Sequence, residues 1–308
     1  MACDQCTHCE RRFGDRPERH DCQIEDRQRQ LPCWHSRDNG LPVQLNAQTP
    51  PETGVEVLQR AVLNTRPILP NSAPLVAVKS ITGDATQFDI KFFVQELGQS
   101  TGAQNELLNW VFRHLAAAGI ALESTQSEPN GSPRENVKTA VERAFDLVPI
   151  FASLTGEERK TLAGKTKCER YGKGDVLVKP GDRLGSLFII GAGVVSVTRA
   201  SSEGEIELMR AGPGDHFGEI GLLTKAASQV TLKALTPVTT YELAKEHLAP
   251  LINARPDFSD ELGHVLALHQ AIGRLVAAEE MDKSPPPSDL AAWFSDQLHR
   301  LVDFANAE

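Results

Sequence analysis

After Cys168 the sequence consists of short alternating segments, each of which ends at a glycine turn. Alternation of apolar and polar side chains over a few residues is typical of a half-buried strand. Turns at such close spacing leave no room for long helices between the strands. The pattern therefore predicts an all-β sandwich or barrel. The turns lie at Gly174, Gly181, Gly191, Gly193, Gly204 and residues 212–214.

The first half of the chain follows a different pattern. Helical stripes begin at Pro51, where proline suits the first turn, and at Glu106, and a Thr82-Gly83-Asp84 turn separates two alternating runs. The predicted order is β-α-β-β-α-β, the ferredoxin-like arrangement, which makes the whole chain an α+β protein. The strands are predicted at 43–47, 75–81, 88–94 and 120–122, and the helices at 51–63 and 106–118.

Composition shifts divide the chain into five segments. Residues 124–136 are polar, contain two prolines and are predicted to be a linker. They separate a domain at 41–123 from a second domain at 137–258, and two amphipathic helices are expected within 259–308. Residues 1–40 contain almost no apolar residues and are expected to be disordered, or not natural protein at all.

Five of the six cysteines lie within residues 1–33. Cys3, Cys6 and Cys9 have the spacing of zinc ligands, but Cys22 has no partner two to four residues away. The ligand set is incomplete, so we predict no metal site. These four cysteines remain the candidates for a zinc-dependent interaction module.

Charge and hydropathy exclude several function classes. The 308 residues carry a net charge of -9, which repels phosphate backbones, so no nucleic-acid partner is predicted. The longest nearly uncharged stretch, at 184–198, is interrupted by glycine and serine and is too short to span a bilayer. No secretory signal and no grouped catalytic side chains are found, so a cytoplasmic protein that is not an enzyme is expected.

The string at residues 212–223 reads Gly-Pro-Gly-Asp-His-Phe-Gly-Glu-Ile-Gly-Leu-Leu. With the turns at Gly174 and Gly181 and the run at 187–193, it resembles the cyclic nucleotide-binding domain. The resemblance runs from residue 137 to residue 258. It implies a β-roll of the jelly-roll type with flanking helices, and cAMP or cGMP as a ligand, with no cofactor. The implied contact residues are Phe217, Gly218, Glu219, Ile220, Gly221, Leu222, Lys225, Ser228 and Gln229.

The string also has a physical rationale as an anion site. A short helix from Glu219 would direct its free N–H groups at a cyclic phosphate, and the resemblance implies that Glu219 accepts a hydrogen bond from the ribose. Binding members of the family carry proline and arginine where this chain has Ala227 and Ser228. Because arginine grips phosphate with two hydrogen bonds, its loss should weaken binding. Lys225 could replace only part of that contact.

A second resemblance concerns residues 41–123. The helix from Pro51, the run Phe88-Asp89-Ile90-Lys91-Phe92 and the Ala118-Gly119-Ile120 segment resemble the carboxy-terminal cytoplasmic domain of small-conductance mechanosensitive channels. This implies a homo-oligomer at the cytoplasmic face of a membrane, with a pore supplied by another chain. The leading hypothesis is thus a regulatory, cyclic-nucleotide-binding-like module of such a channel.

Two alternatives stay open. A transcription regulator of the catabolite-activator type shares the sensory domain but needs a basic helix-turn-helix, whereas residues 281–308 are acidic and too few. A zinc-dependent interaction protein rests on the amino-terminal cysteines alone. Titration with cyclic nucleotides and metal analysis would separate these hypotheses.

Overall fold

The structure is a computed structural model, and it describes residues 39–66, 68, 74–94, 100–121, 138–201, 204–254 and 263. The described residues belong to one compact unit, Ser36–Glu308. The amino-terminal cysteines, the predicted linker and the predicted carboxy-terminal helices lie outside the described residues, apart from residue 263. Among the described residues, no helix combines the length and apolar character needed to cross a membrane.

The first part of the unit, which we call the α/β region, comprises residues 39–121. Three strands form an antiparallel sheet in the order β1-β3-β2, so β3 lies between two strands that run parallel to each other. Two helices contact each other and supply much of the core beside this sheet. The elements are β1 (Asn39–Asn46), α1 (Pro51–Asn64), β2 (Leu75–Ile81), β3 (Ala85–Phe92) and α2 (Ser100–Ala118).

The sequence predicted most of this region but not all of it. Helix α1 begins at Pro51 as expected, whereas α2 begins at Ser100, before the predicted start. The predicted last strand is not formed at Ile120 or Ala121, and Leu122 lies outside the described residues. A complete ferredoxin-like domain is therefore not shown.

The α/β region has its own apolar core. Phe88 and Ile90 of β3 are fully buried and lie in one cluster with Leu58 of α1 and Leu107 of α2. Burial of a side chain of this size contributes about 1.5–3 kcal/mol each. The cluster contains no residue of the second half of the chain, so this region buries its own apolar surface.

The second part, residues 138–254, contains a β-roll of two four-stranded sheets. One sheet has the order β5-β10-β7-β8 and the other β4-β11-β6-β9. The expected β-roll is consistent with this arrangement. The strands are β4 (Lys167–Tyr171), β5 (Val176–Val178), β6 (Ser186–Ala192), β7 (Val195–Ser201), β8 (Gly204–Ala211), β9 (His216–Phe217), β10 (Thr231–Ala234) and β11 (Val238–Ala244).

Within residues 138–254, as far as the structure describes them, four α-helices flank or interrupt the roll. Thr139 and Thr155 begin the first two of them with reciprocal side-chain caps, the arrangement that satisfies the free N–H groups of a helix start. The rings of Phe145, on the first of these helices, and Phe151, on the 3-10 helix that follows it, stack on each other and lie in one apolar cluster with residues of β6 and β11. The helices are α3 (Ala140–Asp146), α4 (Gly156–Ala163), α5 (Glu219–Thr224) and α6 (Lys245–Ala254), with a short 3-10 helix at Pro149–Phe151.

Candidate functional site

The glycine-rich string forms the turn after β8, strand β9 and most of the short helix α5. Gly218 is the residue before this helix and has a φ of 95°, a left-handed conformation that side chains rarely adopt. Its carbonyl accepts the first helical hydrogen bond, from the Leu222 N–H, at 2.9 Å. The predicted helix from Glu219 is therefore present.

The structure gives the glycines of this string a second role. A Cβ on Gly218 would collide with the Ser186 carbonyl oxygen, and one on Gly221 would lie 2.5 Å from the Leu184 carbonyl oxygen. Real side chains do not approach a backbone oxygen so closely. The glycine requirement predicted from the close approach of a ligand is already imposed by the protein's own chain. These glycines let α5 rest directly on residues 184–186.

The residues that bracket Gly218 are held by the roll. The Phe217 ring stacks on Phe188 of β6, with ring centroids 5.0 Å apart. Glu219 is only 9% exposed, an unusual position for a carboxylate. Leu222 is partly buried against the helical core cluster. The Glu219 carboxylate is thus held at the start of α5, where the resemblance places the ribose contact.

Ser228 occupies the position at which the resemblance implies an arginine. Its hydroxyl donates to the Val230 carbonyl at 3.0 Å and accepts from the Val230 N–H at 3.3 Å. Its backbone pairs with the neighbouring turn, since the Ser228 N–H donates to the Asp182 carbonyl and the Gly181 N–H donates to the Ser228 carbonyl, both at 2.8 Å. The Ser228 hydroxyl therefore donates its proton to a hydrogen bond within its own loop.

Lys225 ends α5 and has a φ of 58°, the one positive value among the described residues other than glycine. Sparsely populated conformations of this kind cluster at functional sites and cost about 1–3 kcal/mol. The side chains of Lys225, Ala227 and Gln229 are exposed. The loop after α5 therefore presents a cation to solvent.

A second cation, Arg183, which was not among the residues predicted from the sequence, lies beside this loop. Arg183 follows Asp182, which is paired to Ser228, and precedes Leu184, which underlies Gly221. Arg183 is exposed and makes no hydrogen bond or ion pair with another described residue. The sequence shows that Arg183 follows the Gly181-Asp182 turn. The hydrogen bonds between that turn and Ser228 show that Arg183 lies beside the loop after α5.

The turn that begins the string contacts the α/β region. Arg113 of α2 donates to Asp215 Oδ1 at 2.7 Å, and its guanidinium lies 4.6 Å from the centre of the Trp110 ring. Asp215 Oδ2 accepts from the Gly212 N–H at 2.9 Å. The ion pair is mostly buried, with 17% and 19% of the two side chains exposed. Sequence analysis could not anticipate it, because the partners are far apart in the chain.

Comparison with known proteins identifies this part of the molecule. The family model of the cyclic nucleotide-binding domain matches residues 168–255. A cAMP-dependent protein kinase regulatory subunit of Debaryomyces hansenii is 34% identical over 110 residues, which are 36% of this chain and 24% of the relative. A protein of Lacticaseibacillus casei described as a probable transcriptional regulator is 30% identical over 117 residues, 38% of this chain and 53% of the relative.

A solved structure, that of the catabolite activator protein of Thermus thermophilus, is 22% identical and covers 52% of this chain and 87% of its own, with a TM-score of 0.38. The family model assigns residues 168–255 to the cyclic nucleotide-binding domain. This chain spans well under two thirds of the curated relatives it matches.

The predicted membership of the mechanosensitive channel family is wrong. The family model that matches this chain is the cyclic nucleotide-binding domain, and the relatives above are a cAMP-dependent protein kinase regulatory subunit and a probable transcriptional regulator, not channels. The error has a physical cause. The residues that suggested it are core positions of a strand, a helix and a hairpin, a pattern that unrelated proteins share because it specifies shape and not chemistry.

Proposed function

We propose that residues 138–254 bind a cyclic nucleotide weakly and regulate the protein through that binding. The observation that carries the proposal is the state of the loop after α5. The helix start at Gly218 and Glu219 is formed, and the hydroxyl of Ser228, where the resemblance implies the phosphate arginine, is turned into its own loop.

The two halves of this site contribute unequally. The dipole at a helix start favours an anion by about 0.3–1 kcal/mol. A hydrogen bond between a charged side chain and phosphate is worth about 1.5–3 kcal/mol, which is roughly ten- to a hundredfold in affinity. The missing arginine is therefore the larger effect, and the affinity falls below that of a domain which carries it.

The exposed cations beside the loop supply the remaining attraction. Lys225 lies at the end of α5, and Arg183 lies on the turn paired with Ser228. Arg183 can bind phosphate through two N–H groups, whereas the Lys225 ammonium acts as a point charge. We therefore expect Arg183→Gln to reduce the residual affinity more than Lys225→Gln.

Urea unfolding with and without millimolar cAMP tests the function, because a ligand that binds the folded state raises the free energy of unfolding. We expect a small rise for the natural sequence and a larger one for the Ala227→Pro/Ser228→Arg variant. Glu219→Ala in that variant should reduce the rise by removing the ribose contact. Absence of any rise in the double variant would contradict the proposed function. Equal concentrations of 5′-AMP serve as the ligand control.

A further inference from the structure

The turn at residues 212–215 joins the cyclic-nucleotide site to the α/β region. We propose that helix α2 regulates the affinity of that site, and responds to its occupancy, through the Arg113–Asp215 ion pair. The inference rests on the proposed function, since it concerns regulation of the same site. It assigns to the α/β region the role of a regulatory partner within the chain.

The path from the ion pair to the site is short. Only His216 and Phe217, the two residues of β9, separate Asp215 from Gly218. The turn is fixed to β6, since the Gly214 N–H donates to the Ile190 carbonyl and the Ile190 N–H donates to the Asp215 carbonyl, both at 2.8 Å. A displacement of Asp215 therefore acts on the left-handed residue that begins α5.

The glycines of this turn are tightly packed against neighbouring residues. A Cβ on Gly212 would collide with Asn64 and would lie 2.9 Å from the Trp110 ring. A Cβ on Gly214 would lie 2.6 Å from Leu147 and 3.0 Å from the Arg113 guanidinium. Contacts this tight transmit a shift of α2 to the turn because packed interiors do not deform continuously.

Electrostatics sets the direction of the effect. Arg113 neutralises the Asp215 carboxylate, which lies three residues before Gly218 in the chain. Without Arg113, an uncompensated negative charge would repel the incoming phosphate and would no longer be held against α2. Loss of the ion pair should therefore weaken nucleotide binding. By reciprocity, nucleotide binding should strengthen the contact between the turn and α2.

A second contact ties α2 to the helices of the roll. Arg143 of α3 donates through Nε to the Ala117 carbonyl at 3.0 Å and through Nη1 to the Lys138 carbonyl at 2.7 Å. Helix α2 thus touches both the turn that enters the site and the helix that begins the second part of the unit. A displacement of the turn at residues 212–215 can therefore move α2 and, through the Arg143 hydrogen bonds, α3.

Titration of the full chain with cAMP tests this, using the Ala227→Pro/Ser228→Arg background so that binding is measurable. We expect Arg113→Gln to weaken binding by about fivefold or more. Adding Asp215→Asn should restore part of the affinity, because it removes the uncompensated charge. Arg66→Gln is the matched control. Arg66 also crosses between the regions, donating to the Leu208 carbonyl at 2.7 Å, but on β8 and not at the turn. Its effect should be under about twofold.

Hydrogen exchange of α2 with saturating cAMP provides the reciprocal measurement. We expect slower exchange at residues 107–118 in the background variant and a smaller change with Arg113→Gln. If no variant binds cAMP, both the proposed function and this inference fail. If binding persists but Arg113→Gln has no effect, or Arg66→Gln has an equal one, the coupling alone is overturned. A folded state of each variant is confirmed by its unfolding curve.

Discussion

The α/β region and the β-roll are specified by different kinds of residues. The α/β region buries apolar side chains at helical and strand spacing, and its described glycines carry one left-handed conformation, at Gly119. The roll adds left-handed glycines at nearly every turn and close backbone approaches at Gly218 and Gly221. Apolar spacing specifies a shape that many families share, whereas fixed glycines specify one chain path. The second region could be identified for that reason.

The largest change in the free energy of unfolding is expected at Gly218, where both the backbone conformation and the contact with Ser186 require glycine. Ala at a φ of 95° is strained, and its Cβ would also meet the Ser186 carbonyl. We expect Gly218→Ala to lower the free energy of unfolding by about 3 kcal/mol, combining backbone strain with overpacking. Gly174→Ala is the control, since Gly174 has a φ of 94° but open space around it. It should cost about 1 kcal/mol, and equal losses in urea unfolding would refute the contact.

The next effect belongs to the α/β region. His114 is 3% exposed, and burial, with the nearby charges of Arg60 and Arg113, lowers its pKa from 6.5 to about 3. The unfolded chain takes up this proton below pH 6.5, while the folded chain does so only near pH 3. The contribution of neutral His114 to the free energy of unfolding is therefore fully present above pH 6.5 and is lost as the pH falls towards 3.

Unfolding at a series of pH values measures this loss. Between about pH 7 and pH 5, His114 should account for about 2 kcal/mol of lost stability. His114→Gln should flatten that part of the curve, and His247→Gln, on α6, serves as the control. A curve for His114→Gln that falls as steeply as that of the natural sequence would contradict the assignment.

The smallest effect concerns Lys225, whose left-handed conformation at the end of α5 suits glycine. Lys225→Gly should raise the free energy of unfolding by about 1 kcal/mol. Lys225→Ala keeps the strain and should not stabilise the protein. If both substitutions have the same effect in urea unfolding, the backbone of Lys225 is not strained.

How much the sequence could predict depends on where the contacts lie. Alternation and glycine turns predicted the roll, and Pro51 predicted the start of α1, because both signals are local. The start of α2 at Ser100 was missed because its first turn carries no apolar stripe. The local bonding of Ser228 and the pairing of Arg113 with Asp215 depend on how loops and distant segments meet. The spacing of residues in the sequence does not indicate these contacts.

We propose that the natural site keeps the helix start at Gly218 but lacks its strongest phosphate contact. Calorimetric titration with cAMP tests this proposal by comparing the natural sequence with the Ala227→Pro/Ser228→Arg variant. We predict no saturation of the natural sequence at micromolar cAMP and an affinity at least about tenfold higher for the variant. Saturation of the natural sequence in the low micromolar range, abolished by Lys225→Ala, would contradict the claim and assign the phosphate to Lys225.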